Sequence, residues 1–153
     1  MLIYRWLAVL FLAAFPMREA AAASGQIKKV LPHYLDQHGR HTLAPSLYER
    51  DAYQAHLRQH PEERSAVRFD VQWKAPGAHS KNLKLRLELR GSASESPKPL
   101  ILDLPVEAPR FFSKWSSLML RNSDYEKLGS LIAWRATLWD GETLLAERKS
   151  FLW

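Results

Sequence analysis

The chain has 153 residues, a formal net charge of +6 and no cysteine. That length suits one domain rather than two, and 46% hydrophobic with 25% charged residues is the composition of an ordinary globular protein. Without cysteine there is no disulfide, no lipid-bearing cysteine and no thiol nucleophile.

The first residues have the pattern of a secretory signal. Arg5 gives a positive start, residues 6–15 (WLAVLFLAAF) an apolar core, and Pro16 breaks it. Ala20, Ala21, Ala22 and Ala23 then offer two small-x-small cleavage points, after Ala22 or after Ala23. A bilayer needs about 20 apolar residues, so ten do not make a stable span. The expectation is a signal peptide over 1–23 and a single mature domain over 24–153, with retention of the segment as an anchor the alternative. Cleavage removes Arg5, Arg18 and Glu19, a net of +1, which takes the charge from +6 to +5. The absence of cysteine and of any Asn-x-Ser/Thr acceptor points to an exported bacterial protein, periplasmic or extracellular.

Residues 27–31 (IKKVL) predict a first strand cut by Pro32, and residues 36–39 (DQHG) a turn before a short strand over 41–43. Ser46 followed three residues later by Glu49 matches a capping box, so a helix is expected from Leu47 to about His60, stopped by Pro61. Its apolar stripe, Tyr53, Leu57 and His60, is narrow, which places it outside a sheet edge or as a cap on the sandwich. Residues 66–74 alternate strictly: Val67, Phe69, Val71 and Trp73 against Arg68, Asp70, Gln72 and Lys74. Residues 83–90 do the same, with Leu83, Leu85, Leu87 and Leu89 against Lys84, Arg86, Glu88 and Arg90. A period of two is the mark of a half-buried strand.

Residues 100–106 predict another strand, put at a sheet edge by Pro105 and Pro109. Residues 111–120 predict a strand whose phase slips, as from a bulge near Ser116 and Ser117. A connection over 121–128, with a helical turn, leads to two final runs around Asp140-Gly141, a hairpin signal. Ile132, Trp134, Ala136 and Leu138 form the apolar set of the first run, and Leu144, Ala146 and Leu152 that of the second. A three-residue loop of Trp139, Asp140 and left-handed Gly141 pairs even with even positions and keeps both sets on one face. The whole reads as all-β, an antiparallel immunoglobulin/fibronectin-like β-sandwich of about seven strands with one inserted α-helix. A small outer-membrane barrel, with Val67, Phe69, Val71 and Trp73 toward lipid, is the structural rival.

Chemistry is sparse. There is no Gly-x-Ser-x-Gly elbow, no glycine-rich phosphate loop and no paired-carboxylate motif. The reading is therefore an exported, non-catalytic interaction or accessory module without a cofactor. Two surfaces are candidates for binding. One is a basic face of Arg68, Lys84, Arg86 and Arg90, which forms if the two clean strands are neighbours and would suit a protein or an anionic glycan or lipid. The other is an aromatic set, Trp139, Phe151 and Trp153, lying opposite the core parity of the last hairpin. Nucleic acid is not expected, since no aromatic residues interleave with the basic ones. The alternative function is a metal-assisted hydrolase using His56 and His60, one helical turn apart, with His33, His38 and His41 available on the preceding segment.

Overall fold

The computed structural model describes residues 24–78, 82–93, 98–109 and 112–153. The expected signal segment, 1–23, lies outside them. The described chain is mostly β. In order come strand β1 (Gln26–Asp36), helix α1 (Leu47–Gln59), a 3-10 turn (Pro61–Glu63), β2 (Arg64–Lys74), β3 (Leu83–Gly91), β4 (Leu100–Pro105), β5 (Lys114–Arg121), helix α2 (Asn122–Leu128), β6 (Leu131–Asp140) and β7 (Thr143–Lys149). All strand pairs are antiparallel. They form two sheets, ordered β1-β2-β5 and β4-β3-β6-β7.

The two clean alternations decide the architecture. Val67, Phe69, Val71 and Trp73 of β2 are at most 1% exposed, as are Leu83, Leu85, Leu87 and Leu89 of β3. These two rows belong to different sheets, yet they join one hydrophobic cluster with Leu118, Leu120, Ala136 and Leu138. The sheets therefore meet through their apolar faces in a sandwich-like arrangement. Burying each such side chain contributes about 1.5–3 kcal/mol. Trp73 keeps its indole N–H satisfied by donating to Ser116 Oγ at 3.0 Å.

This arrangement excludes the barrel. The side chains a barrel turns to lipid are the buried centre of a two-sheet core. Among the described residues no helix is long and apolar enough to cross a membrane.

Local differences from expectation have identifiable causes. β1 does not stop at Pro32 but continues to Asp36. Pro32 is tolerated because β1 is an edge strand, where a missing N–H breaks no ladder bond. No strand forms at 41–43. Ser46 occupies the N-cap in extended geometry, but its side chain makes no capping bond. β5 has no bulge: its register with β2 is continuous, with Leu118 and Leu120 inward and Trp115 outward and 46% exposed.

In the last hairpin, Asp140 pairs with Thr143 across Gly141 and Glu142, and Gly141 takes the positive φ of 56°. The irregularity that restores even-with-even pairing lies further on, where Leu138 meets Ala146. The loop is thus two residues, not three, and Leu144 is turned out. A second irregularity, between Arg90 and Gly91 on β3, moves Ile132 out of the core and leaves it 51% exposed. Gly91 itself is needed there, because a Cβ would stand 1.9 Å from the Leu128 carbonyl oxygen.

The core assignment gives a direct expectation. Phe69→Ala should lower unfolding free energy by about 3–5 kcal/mol. Lys29→Ala, on the wet side of β1, should change it by no more than about 0.5 kcal/mol. Urea titration followed by tryptophan fluorescence compares the two.

Candidate functional site

Helix α1 is attached by polar groups more than by an apolar stripe; only Gln54 and Leu57 are buried along it. Gln54 reaches the free edge of β1. Its amide nitrogen donates to the Tyr34 carbonyl at 2.9 Å, and its amide oxygen accepts the Tyr34 N–H at 2.8 Å. One side chain thus stands in for a missing neighbouring strand. The same amide nitrogen also donates to the His41 carbonyl at 2.8 Å.

A turn later, buried Asp36 accepts the Tyr53 hydroxyl at 2.8 Å, the Arg40 Nε at 2.8 Å and the backbone N–H groups of His38 and Arg40. Burial alone raises its carboxyl. The bonds from the Arg40 backbone, Tyr53, the Arg40 side chain and the His38 backbone outweigh that and hold it far below the ordinary carboxylate range. At the helix end, buried Arg64 donates to the carbonyls of Leu57 and Arg58 and lies 4.1 Å over the Tyr34 ring. A cation there satisfies open carbonyls and suits the helix dipole.

The predicted basic face does not assemble. β2 and β3 lie in different sheets, so Arg68 looks out on one side of the molecule and Lys84, Arg86 and Arg90 on the other. Arg68 is engaged with Asp70 at 3.0 Å. Arg86 makes a two-pronged pair with Asp103, both bonds at 2.8 Å, and Lys84 adds a third contact at 3.5 Å. The Arg86 guanidinium accordingly holds Asp103 below its ordinary value. Glu88 receives Arg135, which also approaches Glu147 at 3.7 Å. The outer surface of the four-stranded sheet is laced with opposite charges rather than uniformly positive.

The aromatic set also divides. Trp139 sits beside the β6–β7 turn and donates its indole N–H to Thr137 Oγ1 at 2.8 Å. Phe151 and Trp153 lie at the other end of the hairpin, where Ser150 bonds the Trp134 backbone. Here one predicted basic residue and one predicted aromatic come together. Arg90 lies 4.3 Å over the Trp153 ring and Arg135 lies 5.1 Å from it. Next to Trp153 in the chain, Phe151 is 99% exposed and Leu152 is also exposed.

Of the histidines, His56 and His60 do come together, with ring centroids 4.1 Å apart. Their third partner is Glu63, from the 3-10 turn: His56 Nε2 lies 2.8 Å from Glu63 Oε2. His33, His38 and His41 do not join them. His33 and His41 are 5.3 Å apart by ring centroid on the β1 side, and His38 neighbours Arg40. Burial pushes the His33 imidazole down, against the opposing pull of Asp70.

Glu63 and Arg135 were not singled out from sequence. Pro61 at the first position of a tight turn is the signal that would have returned Glu63 to the helix end. Arg135 is reached only through strand pairing. The chain matches no protein-family model, and no significantly similar curated protein is found.

Two acid-side losses of stability follow from His33 and Asp36. His33 is lowered in the fold, so the unfolded chain takes that proton first and stability falls as pH drops through about 6.5. Asp36 is also lowered, so its contribution is whole above about pH 4 and is lost as pH falls from 3.8 toward the folded value. Asp36→Asn should flatten the second decline and lower stability at pH 7 by about 1–3 kcal/mol. Urea midpoints between pH 2 and pH 8 measure both.

Proposed function

We propose that this chain is an exported, non-catalytic interaction module that docks a protein partner through the end of the four-stranded sheet. The observation that carries the reading is the joined set of Arg90, Arg135 and Trp153 with the solvent-facing chain neighbours Phe151 and Leu152. Aromatic and arginine side chains are enriched where protein interfaces hold their binding energy. The Arg90 guanidinium stacked on Trp153 favours a partner whose own apolar segment carries a carboxylate at its rim. An anionic glycan or lipid surface has less support, because Asp103, Glu88 and Glu147 interrupt the positive charge on this sheet.

The fold part of the proposal is an immunoglobulin/fibronectin-type topology. Lettered in chain order, β1, β2 and β5 take the places of strands A, B and E. The β3, β6 and β7 strands take those of C, F and G, with β4 beside C as an extra C′ strand. Such domains commonly serve as binding modules, though fold alone assigns no activity. Export rests on the Arg5, apolar and alanine pattern of 1–23.

The hydrolase alternative has weaker support. His56, His60 and Glu63 lie on the outside of a helix end, and the grooves lined by Leu31, His33 and Arg50, by Leu104 and Ser116, and by Leu35 and Arg121 do not include them.

Phe151→Glu with Leu152→Glu should abolish partner capture while leaving the unfolding midpoint nearly unchanged, since both side chains are exposed. Affinity capture from a periplasmic extract, followed by titration of the purified candidate against both forms, reads this out. A partner that binds both forms equally, or turnover of a substrate by the purified domain, would overturn the proposal.

A further inference from the structure

A second surface of the molecule has chemistry that docking does not use. It lies where α1 ends and the Pro61–Glu63 turn begins. His56 and His60 are separated by one helical turn, so their imidazoles project from the same face. Pro61 then sets the first position of the 3-10 turn, and the Glu63 N–H donates to the His60 carbonyl at 3.2 Å. That turn brings the Glu63 carboxylate back over the last helical turn, 2.8 Å from His56 Nε2. One donor atom from each of the three residues lies within 4.8 Å of the other two, and it is the one such group among the described residues.

We propose that His56, His60 and Glu63 form a binding site for a divalent transition-metal ion of the Zn2+ class. Around such an ion, with bonds of about 2.0–2.2 Å, tetrahedral ligands stand about 3.3 Å apart. The 2.8 Å between His56 Nε2 and Glu63 Oε2 and the 4.8 Å limit on the group lie on either side of that value. Two imidazoles and one carboxylate suit Zn2+ better than Ca2+ or Mg2+, which take mostly oxygen ligands in larger number.

The tautomers agree with this role. A carbonyl can only accept, so His60 Nδ1, 2.9 Å from the His56 carbonyl, carries the proton and leaves Nε2 with the lone pair. A backbone carbonyl bonded to the far nitrogen is the usual orientation of a metal-ligating histidine. His56 Nε2 donates to Glu63 in the metal-free protein, and the ion takes the place of that hydrogen. A neutral His56 then carries its proton on Nδ1, and a protonated one releases a proton to water. The His56 and Glu63 side chains are 42% and 45% exposed, so the fourth coordination position opens to solvent. The site is independent of the docking surface, which lies on β3, β6 and the residues after β7.

Isothermal titration of the untagged full chain with zinc chloride at pH 7.5, in excess magnesium, tests the proposal. Saturable one-to-one binding is expected, weakened about ten-fold or more by His60→Ala and by Glu63→Gln and unchanged by His38→Ala. Circular dichroism of each variant checks that it is folded. Absence of saturable binding by the wild-type chain, or wild-type affinity in folded His60→Ala, overturns the site.

Discussion

The structure depends on one contact: the apolar row of β2 pressed against the apolar row of β3 across the space between two sheets. These strands follow one another in the chain but do not pair. Ala75 and Ala78, which follow β2, are buried in the same core. Because successive strand side chains point to opposite sides, joining Phe69 and Trp73 with Leu85 and Leu87 in one core forces their polar neighbours apart. Arg68 and Asp70 go to one outer surface, Arg86 and Glu88 to the other. The positions of Arg68, Lys84, Arg86 and Arg90 follow from that single choice, and so does their failure to form one positive face.

Helix α1 obeys a different logic. Its apolar stripe is too narrow to dock it, and the fold uses Gln54, Asp36 with Tyr53, and Arg64 to fasten it to the edge of β1. Each of these side chains completes backbone or carboxylate groups that burial would leave costly. The same helix therefore covers a sheet edge whose unpaired backbone groups would otherwise be open to another strand, and its outer turn is free to present His56 and His60. A helix held by a few polar bonds opens more readily than a sheet held by a continuous core.

Much of this was legible in sequence, and what was not has a common cause. Strict alternation gave β2 and β3 almost to their ends, and Leu47 and Pro61 bracketed α1. Periodicity reports which face of a strand is apolar; it does not report which strand lies alongside. Hence β2 and β3 were open to being read as neighbours, and Ile132 and Leu144 were placed inward although register irregularities turn them out. β5 was harder, because Trp115 and Leu118 compete for the core and only pairing with β2 decides between them. At the sites, the His56–His60 spacing was visible because it is local to one helix. Glu63 required knowing that the chain folds back at Pro61, and the Arg90–Trp153 stack required strand pairing between distant segments.

The central claim is that the facing rows of β2 and β3 form one cooperative unit to which α1 is secondarily attached. Native-state hydrogen exchange across a mild denaturant series tests it most directly. The account predicts that amides of β2 and β3 exchange last and converge on the same opening free energy, with α1 amides released earlier. If β2 exchanged alongside α1, well before β3, the two sheets would not share the core described, and the placement of every surface site built on it would be wrong.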